Sequence, residues 1–397
     1  MKKVLIIAGV FPPEPIVSAN LMFDLATELS KDNQVTVLRP CPSRPMGFKF
    51  EEYDNSKFQF KVIELSSYIH PKSDLLGRLR ESVSFGLQAA KYVASHYEEI
   101  DFIYNDPWQL FGVNIVARTA RKYKIPYMMA VQDIYPESIT SKLPKYIGKA
   151  VTQILLPIDK YNQSNAAKIH TISNNMVEYL SKTRKVPKDK YICVRNWQNE
   201  DSFINRSIGN KDNSLFTFMY LGNVGPLAGL EIVIKAFSYL KDKNVRLVIA
   251  GSGSAKIKLM QMREVIDSDK IEFWDVPDGK VPEIQSKADV MVLPVKKGFA
   301  MSSIPSKLPA YMFSAKPILA SVDCGSDTAK CITESDSGWV IEPENIEKLY
   351  LKMKDICNES FVELRKKGKR GQEFALRNLS KSGNVPVLIE SIKKIIK

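Results

Sequence analysis

The amino-acid sequence predicts an α/β protein in which two doubly wound domains carry parallel sheets that face each other across a cleft. Short apolar, β-branched runs alternate with helical patterns along almost all of the 397 residues, as in chains built from repeated strand-helix units. The apolar runs are continuous rather than alternating, which indicates strands covered on both faces, as in parallel sheets. The length accommodates two domains of roughly 150–200 residues each.

Two series of strands and helices follow one another along the chain. Leu21, Leu25 and Leu29, spaced by four residues, predict a helix between the first two strands. Apolar runs predict strands at 4–8, 34–39, 60–65, 101–105, 126–131 and 168–173 in the first series, and at 215–221, 245–250, 271–274, 289–294, 317–321 and 339–341 in the second. We therefore expect an N-terminal domain over 1–192, a C-terminal domain over 203–378, and a terminal helix over 379–397 that packs back toward the N-terminal domain.

Composition excludes several classes of protein. The five cysteines are scattered and only three histidines occur, which argues against a zinc ribbon and a disulfide framework and fits a reducing cytoplasm. The net charge of +13 favours anionic partners. Because this charge is spread over both halves, with no dense basic arm, we expect no nucleic-acid partner. No apolar stretch approaches the ~18 residues of a membrane span, so a cytoplasmic protein, at most peripheral to a membrane, is expected.

Glycine-bearing loops follow two of the predicted strands. Gly222, Asn223 and Gly225 come after the strand at 215–221, and Gly251 and Gly253 after the strand at 245–250. Ligands of open parallel sheets bind beyond these strand ends, where glycines let backbone amides approach an anion and a following helix N-terminus favours negative charge. For each loop, phosphate binding and a tight turn that serves topology alone both remain open.

A third loop, after the strand at 289–294, carries hydroxyl groups and a cation. Ser302, Ser303, Ser306 and Lys307 precede or open a helix that starts near Ser306, an arrangement that suits a diphosphate. The alternative is an ordinary N-cap at Ser306 followed by a solvated lysine. Since the helix dipole disfavours lysine at this end, we favour an anion that offsets the charge of Lys307.

Two carboxylates follow the strand at 126–131. Asp133 and Glu137, four positions apart, are expected to face one cleft and to orient a sugar hydroxyl or assist proton transfer. A capping arrangement for the helix after Pro136 is an equal alternative. Asp106, after the strand that ends at Asn105, is a similar candidate.

Residues 140–168 interleave lysines with apolar residues. One carboxylate, Asp159, stands against Lys142, Lys145, Lys149, Lys160 and Lys168. Such a basic amphipathic stretch predicts contact with an anionic membrane surface. A helix with one buried and one solvated face is the alternative.

With these motifs the chain resembles, over nearly its whole length, retaining glycosyltransferases of family 4, whose architecture of two Rossmann-like domains is called GT-B. It is most similar to bacterial fucosaminyltransferase-like enzymes that build surface polysaccharides. The phrases that carry the resemblance are VFPPE at 10–14, QDIYPE at 132–137, NW at 196–197, YLGNVG at 220–225 and PSKL at 305–308. The resemblance implies a nucleotide diphosphate donor, often a UDP-sugar, bound mainly by the second domain.

The chain departs from the family pattern at several positions. Asn223 and Ala228 stand where the family has an Arg and a Lys on the diphosphate, and Ser302 and Ala310 where it has paired glutamates, the second of which usually grips the ribose. The usual first-domain histidine has no counterpart near Asn105, and the glycine-rich loop after the first strand is absent.

A diphosphate needs cationic partners, so we expect Lys307 to take over the stabilisation of the leaving group. Lys296 or Lys297 would assist it. This cationic supply predicts that no metal or other cofactor is required.

The resemblance thus implies a glycosyltransferase that moves a sugar, an N-acetylated hexosamine or deoxyhexosamine, from a UDP-sugar to a polyprenyl-linked saccharide at the inner membrane surface. Two alternatives remain open. One is a nucleotide-sugar 2-epimerase, which shares the two-domain architecture, and the other is a non-catalytic partner subunit.

Overall fold

The computed structural model describes residues 1–44, 48–50, 54–70, 75–107, 110–141, 143–204, 215–241, 244–266, 268–277, 279–301 and 304–397. The chain divides into two compact units. Unit 1 comprises residues 1–196 and 384–397, and unit 2 comprises residues 197–383.

Unit 1 is built on a parallel sheet. Its strands are β1 (Lys3–Ala8), β2 (Gln34–Pro40), β3 (Lys61–Leu65), β4 (Phe102–Asp106), β5 (Tyr127–Val131), β6 (Lys168–Thr171) and β7 (Tyr191–Cys193). Their order is β3-β2-β1-β4-β5-β6-β7. The helices of this unit are α1 (Val17–Ser30), α2 (Leu75–Ser95), α3 (Phe111–Lys122), α4 (Glu137–Thr140), α5 (Lys145–Asn165) and α6 (Asn174–Arg184).

Unit 2 repeats this plan. Its strands are β8 (Phe216–Leu221), β9 (Val245–Ala250), β10 (Ile271–Trp274), β11 (Val290–Pro294), β12 (Ile318–Ser321) and β13 (Gly338–Ile341), in the order β10-β9-β8-β11-β12-β13. The helices are α7 (Asp201–Ile204), α8 (Leu230–Ser238), α9 (Lys256–Ile266), α10 (Val281–Ser286), α11 (Lys307–Phe313), α12 (Asp327–Glu334), α13 (Ile346–Cys357) and α14 (Phe361–Asn378). The last helix, α15 (Lys381–Ile395), begins in unit 2 and continues in unit 1.

The continuous apolar runs of unit 2 belong to strands that are covered on both faces, as predicted. Met219 and Leu221 pack in one core cluster, whereas Phe218 and Tyr220, which alternate with them along β8, pack in another. The described strand pairs are parallel in both units, which confirms the predicted α/β class with two parallel sheets. The strand β7 was not predicted, because three residues at the edge of the sheet are too few for a pattern.

No helix within the described ranges is long and apolar enough to cross a bilayer.

Candidate functional site

The candidate site lies at the carboxyl ends of β8 and β11 in unit 2. From β8 the sheet continues to β9 and β10 on one side, whereas from β11 it continues to β12 and β13 on the other. Such a switch point leaves a crevice at the strand ends, where open α/β sheets usually bind their ligands. The three loops singled out in the sequence therefore follow three neighbouring strands, β9, β8 and β11, at one edge of this sheet.

Tyr311 of α11 separates the two strands at this point. β8 and β11 pair at Phe218 and Met219. Two residues further along β8, the amide of Leu221 donates to the Tyr311 hydroxyl (2.9 Å), and this hydroxyl donates to the Leu221 carbonyl (2.8 Å). Burial raises the pKa of Tyr311 well above its usual value, so the side chain is a neutral phenol that can both donate and accept. Tyr311 thus takes the place of a strand partner and keeps the crevice open.

Lys307 lies one helical turn before Tyr311 on the same face of α11, as the spacing of four residues requires. Its stem covers Gly222, where a Cβ atom would lie 2.3 Å from Lys307 Cε. The Nζ atom is 5.6 Å from the centroid of the Tyr220 ring. Gly222 has φ +152°, a backbone conformation that L side chains rarely adopt, so glycine is favoured at this position, and a side chain there would also displace the lysine stem.

The charge of Lys307 has no counter-ion in the described part of the chain. The contact recorded for its Nζ atom there is the one with the Tyr220 ring, and the residue is half-buried. Burial lowers the pKa of Lys307. A desolvated cation without a partner costs free energy, and an anionic ligand beside Nζ would recover it.

The loop after β9 packs directly against the loop after β8. The amide of Val224 donates to the Ser252 carbonyl (2.8 Å). Gly251 has φ +127°, and a Cβ atom there would lie 2.2 Å from the carbonyl oxygen of Gly222. Gly253 is similarly close to the Val224 carbonyl, at 2.4 Å. These glycines allow two backbone segments to pack together, so this loop shapes the first one.

Backbone donors complete the site. Within the described ranges the amides of Asn223 and Gly225 make no hydrogen bond, and α8 begins just beyond them, after Gly229. Ser306 is exposed, and among the described residues its side chain makes no capping hydrogen bond to α11. A cation, free amides and a helix N-terminus are together the chemistry that binds a diphosphate.

The two supporting lysines differ in position. The amide of Lys296 donates to the Leu227 carbonyl (3.2 Å), and its Cγ atom would be 3.6 Å from a Cβ on Gly229, which places Lys296 beside the start of α8. Lys297 instead lines a cavity of about 800 Å³ with Asp323 and Glu342. Lys296 is thus better placed than Lys297 for the predicted role of assisting Lys307. Ser302 and Ser303 lie outside the described residues.

In unit 1, Glu137 belongs to a buried ion-pair network. Arg184 of α6 donates from Nη1 and Nη2 to the two carboxylate oxygens (2.6 and 2.7 Å), and from Nε to Asp159 (2.7 Å). Tyr179 also donates to Glu137 (2.9 Å). Burial alone would raise the pKa of Glu137, but the hydrogen bonds and charge of Arg184 outweigh it and hold this pKa below its usual value. Glu137 is therefore ionised and fastens α4 to α5 and α6.

Asp133 is exposed on the turn after β5, where its charge helps to raise the pKa of Tyr135, which is raised chiefly by burial. Asp106 ends β4 beside β1, with Ala8 as its register partner. Burial raises the pKa of Asp106 to about 7. The catalytic assignments of Lys307, Asp133 and Glu137 stay predictions.

The roles of two residues that organise these sites, Tyr311 and Arg184, were not predicted from the sequence. The position of Tyr311 beside Lys307 could have been predicted, because Tyr311 lies four positions after Lys307 and so shares its helix face. No local pattern predicts the ion pair of Arg184, since its partner Glu137 is 47 residues away along the chain.

Comparisons with known proteins give the chain's relatives in sequence and in fold. A family model described as "Glycosyl transferases group 1" matches residues 216–359, the segment that holds the loops of unit 2. The chain is 21% identical over 245 residues to the probable glycosyltransferase WbjE of Pseudomonas aeruginosa, a match that covers 58% of this chain and 60% of WbjE. It is 23% identical over 258 residues to the putative colanic acid biosynthesis glycosyl transferase WcaI of Escherichia coli, covering 62% of each.

The chain thus spans about three fifths of the length of the curated relatives it matches. Among solved structures, Anabaena Alr3699/HepE in complex with UDP has a TM-score of 0.70 at 13% identity, over 99% of this chain and 100% of that one. This likeness shows the fold. The protein therefore has the GT-B fold, and its residues 216–359 match the model of the group 1 glycosyltransferases.

Proposed function

We propose that this protein is a retaining glycosyltransferase that transfers a sugar from a UDP-sugar to a lipid-linked saccharide in the synthesis of a bacterial surface polysaccharide. The transferred sugar is an N-acetylated hexosamine or deoxyhexosamine. The observation that carries the proposal is the half-buried Lys307, which lies against Gly222 at the switch point with no counter-ion among the described residues. The UDP bound in the HepE structure and the name of WcaI support the choice of donor and pathway class.

Lys307 has a direct part in the proposed reaction. When the bond between the sugar and the diphosphate breaks, negative charge develops on the departing phosphate. Lys307 and the amides of Asn223 and Gly225 bind this charge more strongly in the transition state than in the ground state, which accelerates the step. No metal is expected, because these groups neutralise the diphosphate.

The acceptor needs no strong protein base in this scheme. Its hydroxyl attacks the anomeric carbon from the face that the diphosphate leaves, and its proton passes to the departing phosphate oxygen. Asp133 orients the acceptor or the sugar by hydrogen bonds. Glu137, held by Arg184, keeps the turn that carries Asp133 in position. A lipid-linked acceptor places this cytoplasmic protein at the inner membrane surface as a peripheral protein.

Calorimetric titration with UDP, GDP and CDP tests the donor site, and we expect UDP alone to bind. A turnover assay with UDP-N-acetylhexosamines and polyprenyl-diphosphate saccharides then tests transfer. Asp133→Asn should lower turnover while UDP binding stays unchanged, because Asp133 lies in the other unit. Absence of binding by all three nucleotides would refute the proposal, and conversion of the UDP-sugar to its 2-epimer without transfer would indicate an epimerase.

A further inference from the structure

Helix α5 buries polar side chains and leaves large apolar ones exposed, while Val151, Leu155, Leu156 and Ile158 are half-buried. Its buried residues are Gly148, Asp159, Asn162 and Gln163. Three large apolar side chains are instead exposed to solvent: Tyr146 by 87%, Ile147 by 54% and Ile154 by 72%. Surface helices of soluble domains normally turn their large apolar side chains toward the core, so the exposure of these three residues calls for an explanation.

Polar contacts fix this orientation. Asp159 accepts from Arg184 Nε (2.7 Å) and from Gln163 Nε2 (2.7 Å). Asn162 accepts from Asn114 (2.6 Å) and donates to the Leu110 carbonyl (3.2 Å). Rotating the helix to bury Ile154 would break these bonds and leave buried polar groups without partners, which is costly. The outward position of the apolar residues is therefore built into the packing of α5.

The exposed apolar residues form a continuous stripe. At 100° per residue, they fall within about a third of the helix circumference. We name this surface the α5 stripe; it consists of Tyr146, Ile147, Ala150, Ile154 and Pro157, all of them exposed. Contiguous exposed apolar surface marks a contact with a protein or a membrane.

The charges beside the stripe select the partner. Lys145, Lys149 and Lys160 are exposed on the same helix, where the described residues contain a single carboxylate, that of the buried Asp159, which pairs with Arg184. Apolar side chains flanked by lysines, with no exposed acidic residue, complement an anionic bilayer. The apolar groups enter the boundary between headgroups and acyl chains, and the lysines approach the lipid phosphates.

We propose that the α5 stripe and its lysines dock unit 1 on the surface of an anionic lipid bilayer. The inference rests on the proposed function in one respect, namely that a lipid-linked acceptor is met at such a surface. The contact is reversible, because one amphipathic face without a lipid anchor gives modest affinity that depends on salt.

Sedimentation with vesicles tests the proposal on the full chain. We expect binding to vesicles of phosphatidylglycerol and phosphatidylcholine, with at least tenfold weaker binding to phosphatidylcholine alone and a similar loss in 0.5 M salt. Ile154→Asp should weaken binding to the anionic vesicles about tenfold or more. Ile257→Asp is the matched control, because Ile257 on α9 is also 72% exposed but lies in unit 2, and it should bind as the wild type does.

Three outcomes would overturn the inference. These are equal binding by Ile154→Asp and wild type, no binding of the wild type to anionic vesicles, and a dimer in sedimentation velocity that Ile154→Asp dissociates, which would assign the stripe to a second copy of the chain. UDP titration of the same proteins separates this inference from the proposed function. Ile154→Asp should keep the affinity of the wild type for UDP, whereas loss of UDP binding by the wild type itself would refute the donor site and leave the vesicle result standing.

Discussion

Replacing Lys307 with methionine removes the cation of the candidate site and keeps an unbranched stem over Gly222. Two unit charges 4 Å apart interact by about 4 kcal/mol at an effective dielectric constant of 20. Desolvation of the diphosphate offsets part of this, and hydrogen bonds to charged groups contribute about 1.5–3 kcal/mol net. We therefore expect Lys307→Met to weaken UDP binding roughly 10- to 150-fold, and to lower turnover further because charge grows on the leaving group.

The same substitution should not destabilise the fold. Burial lowers the pKa of Lys307 and no counter-ion for it occurs in the described ranges, so the charged side chain costs folding free energy. Urea denaturation of Lys307→Met should give a midpoint equal to or above that of the wild type. Lys235→Met is the matched control, since Lys235 is exposed on α8 and carries the same charge change. UDP binding by Lys307→Met within twofold of the wild type would refute the assignment, as would an equal loss in Lys235→Met.

Three further predictions concern buried residues, two in unit 2 and one in unit 1, and their effect on the stability of the fold. Tyr311→Phe removes both hydrogen bonds to Leu221 and should lower the free energy of unfolding by about 2–4 kcal/mol, with weaker UDP binding; an unchanged urea midpoint would contradict it. Gly251→Ala places a methyl group 2.2 Å from the Gly222 carbonyl oxygen at φ +127°, and should cost about 2–4 kcal/mol, read by the same denaturation series. Burial lowers the pKa of His170 to about 4 from 6.5, so the unfolded chain binds a proton between these values and stability should fall by about 3 kcal/mol as the pH drops from 6.5 to 4. His170→Asn should flatten that part of the pH profile, and equal slopes for the two proteins would count against this origin.

Much of the fold follows from local sequence pattern. The apolar run at 215–221 predicts a strand buried on both faces, and β8 places Met219 and Phe218 in opposite core clusters as such a strand must. The loop candidates follow from a general rule, because the carboxyl ends of parallel strands share one edge of the sheet. Lys307 was noticeable because a cation at a helix N-terminus opposes the helix dipole.

Long-range contacts were beyond that pattern. The hydroxyl of Tyr311 meets the backbone of Leu221 across 90 residues of sequence, and a buried tyrosine in a helix gives no local sign of such a partner. Glu137 has the same residue type and spacing whether it acts on a sugar or, as the structure shows, binds Arg184 from another helix.

The sequence by itself determined the α/β class, the succession of strands and the residue types available at their ends, because periodicity and turn chemistry act over a few neighbouring residues. Only the tertiary structure decided which side of α5 faces outward. The lysines and apolar residues of 140–168 were compatible with either orientation, and the choice was made by buried partners of Asp159 and Asn162 on other segments of the chain. Local sequence does not determine which face of a helix meets solvent, because the free energy of its polar contacts with the rest of the fold decides this.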